Sequence, residues 1–573
     1  MLNIEQLKDM LKQASDGNAK SIREYKQAKE YYSGKQLPSD VEATLKERGQ
    51  PPIYENLLAM IMEKIKGYKG MARQEMEVVG RQREDRDKAA VLSDILKSIS
   101  DTTEFLKEKR ACDSDLLLGL GVLEVWIKEL KSSDSFGKKE KTITMKRISP
   151  ECFLIDPYSL KDDASDAKFF IKLFSMDFDD AKLAFGSKAN ELKLNFITSH
   201  RKRVNIYEFW VKEIKDKAYI WNRYIIGDTD VLLKSEISPF KNGSHPFAIQ
   251  KYAIDHDNNW YGFFRNLKPQ IDFINFAENR MANMIGSSKV LYEADAVEDA
   301  EEFAKEINID NSVARVKNGA LSNKKIQITN NQPQIANLSA KIADARATVQ
   351  KLSGLNDETL GFAVTRLSGS AIEQRNNAGT ISLQTFLIAS EMIDKIAFTK
   401  AVELITHYFD AEQVFRISEK DNANRYFVIN ERLKDENGNM IVGKDGKAIV
   451  KNKIEVGYYD ISLHSIPANK TKREDLLKSW GEIVKTIAPI KPEMASALIP
   501  IMLRDTDSTV ARDVEEMMAQ LDAQQTQNQD PMAMMQMQNA QLDLELKQAK
   551  IAEIKANSLK KVAEGKEEMS RAK

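Results

Sequence analysis

Three long helical segments, each with one apolar stripe, constrain the fold of this chain more than any other feature. The first covers roughly residues 263–285, the second follows Pro333 and ends at Gly354, and the third runs from about Ala371 to Phe409. In the first, apolar side chains recur every three or four residues, at Phe264, Leu267, Ile271, Ile274, Met281 and Ile285. Such helices are too amphipathic to stand alone, so we expect copies of the chain to pack side by side around a central hole.

The segments around these helices predict an α+β, helix-rich fold. Helical periodicity dominates the first hundred residues, whereas residues 121–247 contain short runs of branched and aromatic residues that are typical of strands. Strand-like runs return between residues 410 and 470, where we expect them to complete the β-rich region. At 573 residues the chain is long enough for three or four folding units, and 42% hydrophobic residues suffice to bury real cores.

A small insertion separates the first two long helices. Residues 286–334 combine strand-like KVLYE, an acidic helical stretch, and strand-like SVARVK and IQIT. Two helices that bracket a small α/β unit indicate an antiparallel stalk with a cap at its far end.

The last hundred residues change character twice. Residues 471–520 are helical in pattern and are broken by prolines, and a polar stretch rich in Gln and Met follows, which is typical of a flexible linker. The final segment, 540–573, has a narrow, alanine-rich stripe at helical spacing. A helix of this kind buries little by itself, so we expect it to associate with parallel copies.

The charge balance excludes a strong global attraction to polyanions. Lys and Arg number 85 against 86 Asp and Glu, for a net charge of −1, whereas proteins that clamp nucleic acid usually carry a basic excess. Any contact with nucleic acid is therefore expected to be local or loose. The start, MLNIEQLKDMLKQ, is an amphipathic helix, and the longest apolar run, 116–127, is too short for a membrane span. We expect neither secretion nor membrane insertion.

The residue patterns favour no catalytic site, metal or cofactor. Cys112 and Cys152 lack partners at metal-ligand spacing and are expected to be buried thiols. The run Gly119-Leu120-Gly121 lacks the third glycine of a dinucleotide fingerprint and predicts a tight turn, and the sequence contains no GxxxxGK[ST] motif. The five histidines are scattered, at His200, His245, His256, His407 and His464.

Two charged clusters are best explained by structural roles and not by catalysis or metal binding. Asp255-His256-Asp257 is followed by two asparagines and predicts a polar turn. Carboxylates crowd the acidic helix at Glu298, Asp299, Glu301 and Glu302. Neighbouring positions on a helix cannot all converge on one metal ion, so we expect a solvated face. The basic run Arg201-Lys202-Arg203 is expected to be exposed surface.

Three sequence stretches and the order of the elements resemble a known family. The stretches are YYSGKQLP, WYGFFRNLKPQIDFINFAENRMANMI and LSGSAIEQRNNAGTISLQTF, in which a Ser-Gly-x-Ala-Ile element opens the third long helix. Together and in this order they resemble the portal proteins of tailed bacteriophages, above all those of short-tailed phages. The resemblance covers nearly the whole chain. It implies a non-enzymatic subunit of a twelve-membered ring that forms the channel for packaging and ejecting double-stranded DNA.

The resemblance also implies a role for each segment. In chain order the segments are N-terminal helices and β-rich wing (1–262), stem helix (263–285), clip (286–334), stem helix (335–353), channel loop (354–370), long wing and channel helix (371–409), wing strands (410–470), crown (471–520), and linker with helical barrel tail (521–573). The partners implied are terminase, head-completion and adaptor proteins, tail proteins, the major capsid protein and scaffolding protein. The location implied is the portal vertex of the virion, after assembly in the host cytoplasm.

Within the channel loop, Asn356, Thr365 and Arg366 are the candidates for weak, sequence-blind contact with DNA phosphates. The alternative is a loop that packs on its neighbour. The start of the long channel helix is marked by Ser370, Ala371, Gln374 and Arg375.

Two other functions stay open at this stage. The helical tail is compatible with a coiled-coil scaffold or adaptor of a viral particle. The carboxylates near Glu298 are compatible with a metal-dependent nuclease, because paired carboxylates are what a two-metal site needs.

Overall fold

The computed structural model describes most of the chain up to residue 489. The described ranges are 2–80, 86–130, 140–196, 201–215, 217–240, 244–285, 289–307, 313–329, 331–354, 369–409, 413–418, 424–432, 450–451, 459–467, 470–489, 498–499 and 502. The chain divides into two compact units, Met1–Ser465 and Ile466–Lys573. The second unit contributes one described helix, Lys470–Ile487.

Eleven α-helices of eight residues or more lie in these ranges. They are α1 (Ile4–Tyr32), α2 (Ser39–Glu47), α3 (Leu57–Met71), α4 (Arg86–Ser100), α5 (Thr103–Leu117), α6 (Phe178–Phe185), α7 (Phe264–Ile285), α8 (Ala300–Ile307), α9 (Gln332–Ser353), α10 (Gly369–Tyr408) and α11 (Lys470–Ile487). The three long helices expected from periodicity are α7, α9 and α10, and their bounds agree with the sequence pattern to within a few residues. Among the described helices, none combines the length and the apolarity that a membrane span needs.

The strands form two larger sheets and several pairs. In chain order they are β1 (Ala72–Gly80), β2 (Leu120–Leu130), β3 (Glu140–Arg147), β4 (Phe153–Ile155), β5 (Phe169–Asp177), β6 (Asn195–Phe196), β7 (Lys202–Lys215), β8 (Ala218–Gly227), β9 (Leu232–Ile237), β10 (Phe247–Lys251), β11 (Ala253–Ile254), β12 (Trp260–Tyr261), β13 (Lys289–Tyr292), β14 (Ile326–Thr329), β15 (Gln413–Ser418), β16 (Asn424–Ile429), β17 (Glu431–Arg432), β18 (Val450–Lys451) and β19 (Tyr459–Pro467).

The larger sheets are antiparallel. One has the order β10-β2-β3, and the other has the order β4-β5-β7-β8-β9 with β6 added to β7. Aromatic rings fill the space between them: the ring of Phe247 on β10 lies 4.9 Å from Phe153 on β4 and 6.0 Å from Phe170 on β5. Large rings of this kind bury much apolar area per residue, so this layer joins the two sheets into one core. The same core continues into α3, α5, α7 and α10.

Three details differ from the sequence predictions. The mainly helical first hundred residues contain strand β1, whose partner is the distant β19. The predicted strand SVARVK is wrong over its described residues, 313–317, where the backbone is not a strand and Val313 is 87% exposed. The described strands after residue 410 pair with one another or with β1 and do not extend either large sheet. A strand needs a partner, and local alternation does not say which one.

The helices α7 and α9 pack against each other and carry a small unit at one end. In that unit β13 and β14 pair antiparallel, and the Tyr292 ring lies 5.4 Å from the Phe303 ring of α8. Four apolar side chains of this unit are buried: Ala296, Val297, Phe303 and Ala320. Helix α9 ends at Gly354, whose left-handed backbone (φ +67°) is a conformation that glycine adopts without strain.

Candidate functional site

The motif YYSGKQLP lies directly against α7. The Tyr31 hydroxyl donates to the Asp272 carboxylate at 2.5 Å, and the Tyr31 ring lies 4.9 Å from Phe264. The Gln36 side-chain oxygen accepts from the Asn275 amide at 2.8 Å. Burial, helped by the bond to Asp272, raises the pKa of Tyr31 above its usual value. Two of the three stretches that carry the family resemblance therefore contact each other.

An asparagine ladder fixes α7 to the segment between α2 and α3. Asn279 accepts from the Ile53 N–H at 2.9 Å and donates to the Ile53 carbonyl at 2.6 Å. The outer rungs are Glu55 N–H to Asn275 Oδ1 and Gln50 Nε2 to Asn283 Oδ1, both at 3.0 Å. The segment is extended and contains two prolines, so it needs side-chain partners for its backbone groups. This ladder was not predicted from the sequence, although three asparagines four residues apart share one helix face.

Helix α9 is tied back onto α7 at two levels. The Arg346 guanidinium reaches the Glu278 carboxylate at 2.7 Å and the Glu55 carboxylate at 3.1 Å. Near the other end, the Asn331 amide donates to the Met284 carbonyl at 3.3 Å. The start of α9 thus meets the end of α7, and the two helices run in opposite directions.

A polar turn leads into α7. The Asp255 carboxylate accepts from the Asn259 N–H at 2.8 Å and from Arg265 Nη1 at 3.0 Å. Burial would raise the pKa of Asp255, but the hydrogen bonds from Asn259 and Arg265 outweigh it and hold that pKa well below its usual range. Asn258 adopts a left-handed backbone (φ 64°), and His256 is 89% exposed. The prediction of a turn at this position is confirmed.

A buried ionic cluster holds α10 against α3 and α5. The Lys109 ammonium lies 2.6 Å from Asp113, 3.1 Å from Asp394 and 2.7 Å from the Ser390 hydroxyl. Lys69 of α3 pairs with Asp113 at 2.7 Å. This cluster was not predicted from the sequence. Its only local signal is the spacing of four residues between Lys109 and Asp113 on α5 and between Ser390 and Asp394 on α10.

The charges in this cluster are not equivalent. Burial would raise the pKa of Asp113, but the Lys109 and Lys69 charges outweigh it and keep the pKa of this carboxyl low. Burial raises the pKa of Asp394, which Lys109 offsets only in part. Burial also lowers the pKa of Lys69. The Lys109–Asp113 pair is thus the firmly ionised centre of the cluster.

Further along α10, Lys400 is buried beside the aromatic layer. Its ammonium donates to the His245 carbonyl at 2.7 Å. Burial lowers the pKa of Lys400 to about 8, against which the charge of Glu403 acts. The His245 ring lies 4.8 Å from both Phe170 and Trp221, and burial lowers its pKa well below the usual value.

The predicted site residues lie between the end of α9 and the first turns of α10. The candidates Asn356, Thr365 and Arg366 lie outside the described residues. Four other positions, Ser370, Ala371, Gln374 and Arg375, lie in the first turns of α10, where the backbone is helical.

The carboxylates considered for a nuclease have a structural role at one position. The Asp299 carboxylate accepts from the backbone N–H groups of Glu301 and Glu302 at 2.8 and 3.1 Å, where it caps the start of α8. Those hydrogen bonds hold the pKa of Asp299 below its usual value. Within the described part of the chain, no group of three or more His, Cys, Asp or Glu side chains is placed to hold a metal ion.

The remaining small motifs behave as ordinary structure. Gly119 (φ +140°) turns the chain between α5 and β2, which confirms the predicted tight turn. Cys112 is buried and Cys152 is half-buried, and both thiols are free. Burial raises the pKa of both. Arg201 is exposed and pairs with Asp177, as expected for surface.

Within the described residues, amide hydrogen bonds and buried ion pairs fix the long helices to the rest of the chain, as in a protein whose helices form a framework. A family model described as Phage P22-like portal protein matches residues 8–561. The chain is also 38% identical over 546 residues to the portal protein of Helicobacter pylori bacteriophage KHP30, covering 95% of this chain and 86% of that protein. The chain therefore belongs to the Phage P22-like portal protein family.

Family membership establishes the role of the chain in outline. It is a structural, non-enzymatic subunit of the portal vertex of a phage capsid, and its oligomeric ring provides the channel for DNA. A ring of this family has the capsid and the terminase as partners. The nuclease alternative is thereby excluded, and the scaffold alternative is replaced by the portal role.

Proposed function

We propose that the α7–α9 hairpin is the stem that lines the DNA channel, with residues 286–334 as the clip at its tip. The observation that carries this proposal is the arrangement itself: two antiparallel helices leave the core side by side, and a small unit with its own buried side chains joins their ends. In this proposal the clip receives terminase during packaging, and head-completion and tail proteins afterwards.

The other segments take the roles that the resemblance assigns. Residues 1–262 and 410–470 form the wing, 371–409 the helix that connects wing and channel, 471–520 the crown, and 521–573 a linker with a helical barrel. The ring has twelve subunits, assembles in the host cytoplasm with scaffolding and major capsid proteins, and occupies one vertex of the virion.

The channel loop, 354–370, is proposed to face the DNA through Asn356, Thr365 and Arg366. The near-zero net charge supports weak contact, because a channel that bound phosphates tightly would stall the moving duplex. A triple alanine variant of these residues should assemble normally and package less DNA per particle. Normal packaging by that variant would remove the loop from the DNA path.

Electron microscopy and native mass spectrometry of the purified full-length protein test the ring. We expect rings with a central hole and a mass of about 780 kDa, twelve times the 65.0 kDa chain. A chain truncated after residue 520 should still form rings, whereas an assembly held only by a coiled coil would dissociate. A monomer at every concentration, or a disc without a hole, would overturn the proposal.

A further inference from the structure

Helix α7 has an aromatic face that its own chain leaves uncovered. Phe273 is 37% exposed and Phe276 is 61% exposed. They lie three residues apart and therefore on one side of the helix, away from the buried Ile271 and Ile274. Two adjacent exposed rings on a helix form an apolar patch, and such patches mark interaction sites.

Helix α9 has a complementary face of small side chains. The exposed members are Ala336, Ala340, Ala343 and Ala347, which share one side of the helix by their spacing of three and four residues. The opposite side packs into the core through Ile342, Ala345 and Val349. Large side chains on one surface interdigitate best with small side chains on the other, so the aromatic face of one helix fits an alanine face.

The register within one hairpin brings the two faces to the same level. Asn331 meets Met284 and Arg346 meets Glu278, so the residues near Phe276 on α7 lie level with the middle of α9. Rotation about a ring axis leaves the height of every residue along that axis unchanged. The α9 helix of a neighbouring copy therefore presents its alanine face at the level of the two phenylalanines.

The charges beside these faces are also complementary. Arg280 is exposed one turn beyond Phe276 on α7. Asp344 is exposed beside Ala343 on α9, and its carboxylate lies 3.6 Å from the Lys341 ammonium. A long Arg280 side chain from one copy can reach the Asp344 carboxylate of the next, where Lys341 opposes part of the attraction.

We propose that Phe273 and Phe276 of one subunit pack on the Ala340–Ala347 face of the next subunit, and we call this contact the stem seam. Because two different faces meet, the contact is heterologous and repeats from copy to copy until the ring closes. The inference rests on the proposed stem role of the hairpin, and it adds the partner of each exposed face.

A pair of engineered cysteines tests the stem seam in the full-length chain. With Phe276→Cys and Ala343→Cys on one chain, mild oxidation should join neighbouring subunits into a ladder of covalent dimers, trimers and larger species on a denaturing gel. The control replaces Ala343→Cys by Leu183→Cys, on the 88% exposed Leu183 of α6, and should leave single chains. Single chains from the seam pair in an assembled ring would overturn the inference.

A size swap gives a second, independent measurement. Phe276→Ala should raise the protein concentration at which half of the rings dissociate at least tenfold, and Ala343→Phe should do the same by steric clash. The double variant should recover most of the wild-type value, because each seam again pairs one ring with one methyl group. Additive losses in the double variant would contradict a direct contact.

The two proposals fail in different ways. If the wild-type protein forms no ring, the proposed stem role fails with the seam. If it forms rings but neither the cross-link nor the recovery is seen, the ring stands and the stem seam is wrong. Circular dichroism of each variant separates loss of folding from loss of assembly.

Discussion

The helix α10 and the α7–α9 hairpin use polar groups in opposite ways. Helix α10 carries Ser390, Asp394 and Lys400 into the interior, where charges and carbonyls of the same chain satisfy them. The hairpin is held to the rest of its chain by the neutral amides of α7 and by the ion pair of Arg346 with Glu55, and Phe276 stays exposed beside them. The position of α10 is thus determined within one chain, whereas the outer faces of the hairpin are completed by another copy in our proposal.

The largest expected effect comes from removing the central cation of the α10 cluster, which tests whether buried charges hold this helix. Lys109→Met leaves Asp394 buried without its counterion and should lower the free energy of unfolding by about 3–5 kcal/mol. Urea denaturation followed by tryptophan fluorescence measures this. Lys107→Met, at an exposed position of α5, should change it by no more than about 0.5 kcal/mol.

A double variant checks the cause of that loss. Lys109→Met combined with Asp394→Leu removes both charges and should recover much of the lost stability. If Lys109→Met behaves like Lys107→Met, the buried cluster does not hold α10.

The pH dependence of stability tests a second buried charge of α10, that of Lys400. Its folded pKa of about 8 lies below the ordinary value of 10.5, so between these pH values the unfolded chain binds a proton that the folded chain does not. The contribution of Lys400 to the free energy of unfolding therefore rises as the pH rises from 8 to 10.5. Below pH 8 the folded protein keeps the full cost of burying the charged ammonium. Relative to Lys400→Met, the wild type should gain about 2–3 kcal/mol between pH 8 and pH 10.

Thermal or urea unfolding at a series of pH values gives this difference curve. The matched control is Lys395→Met, at an exposed position of the same helix. A flat difference between wild type and Lys400→Met would mean that this lysine is solvated in the folded protein.

The smallest expected effect concerns the hairpin. Asn279→Ala leaves the Ile53 N–H and carbonyl without their partner and should cost about 1–2 kcal/mol, because water can reach the half-buried segment. Hydrogen exchange should accelerate at Ile53 and leave the α10 helix unchanged. Asn266→Ala, on the exposed side of α7, should change neither. If exchange accelerates throughout the protein, the Asn279 hydrogen bonds stabilise the whole fold and not only the segment around Ile53.

The sequence alone determined the long helices. The apolar spacing in α7, α9 and α10 is local information, because residues three and four apart share a face whatever surrounds the helix. The strands β2 to β5, β7 and β8 were predicted for the same reason, from short runs of branched and aromatic residues, whereas the two-residue β6 was not predicted. Likewise the polar turn at residues 255–259 needs only its own asparagines and aspartates.

Only the tertiary structure decided which elements meet. Lys69, Lys109 and Asp394 look in sequence like ordinary surface charges, and their burial follows from three helices that pack together. Strand β1 exists because β19, far along the chain, supplies its hydrogen-bond partner. The physical reason is the same in each case. Periodicity indicates that one face of an element is buried, but the free energy gained by burying it depends on the shape and charge of a partner element. That partner is distant in the sequence, and neighbouring residues do not specify it.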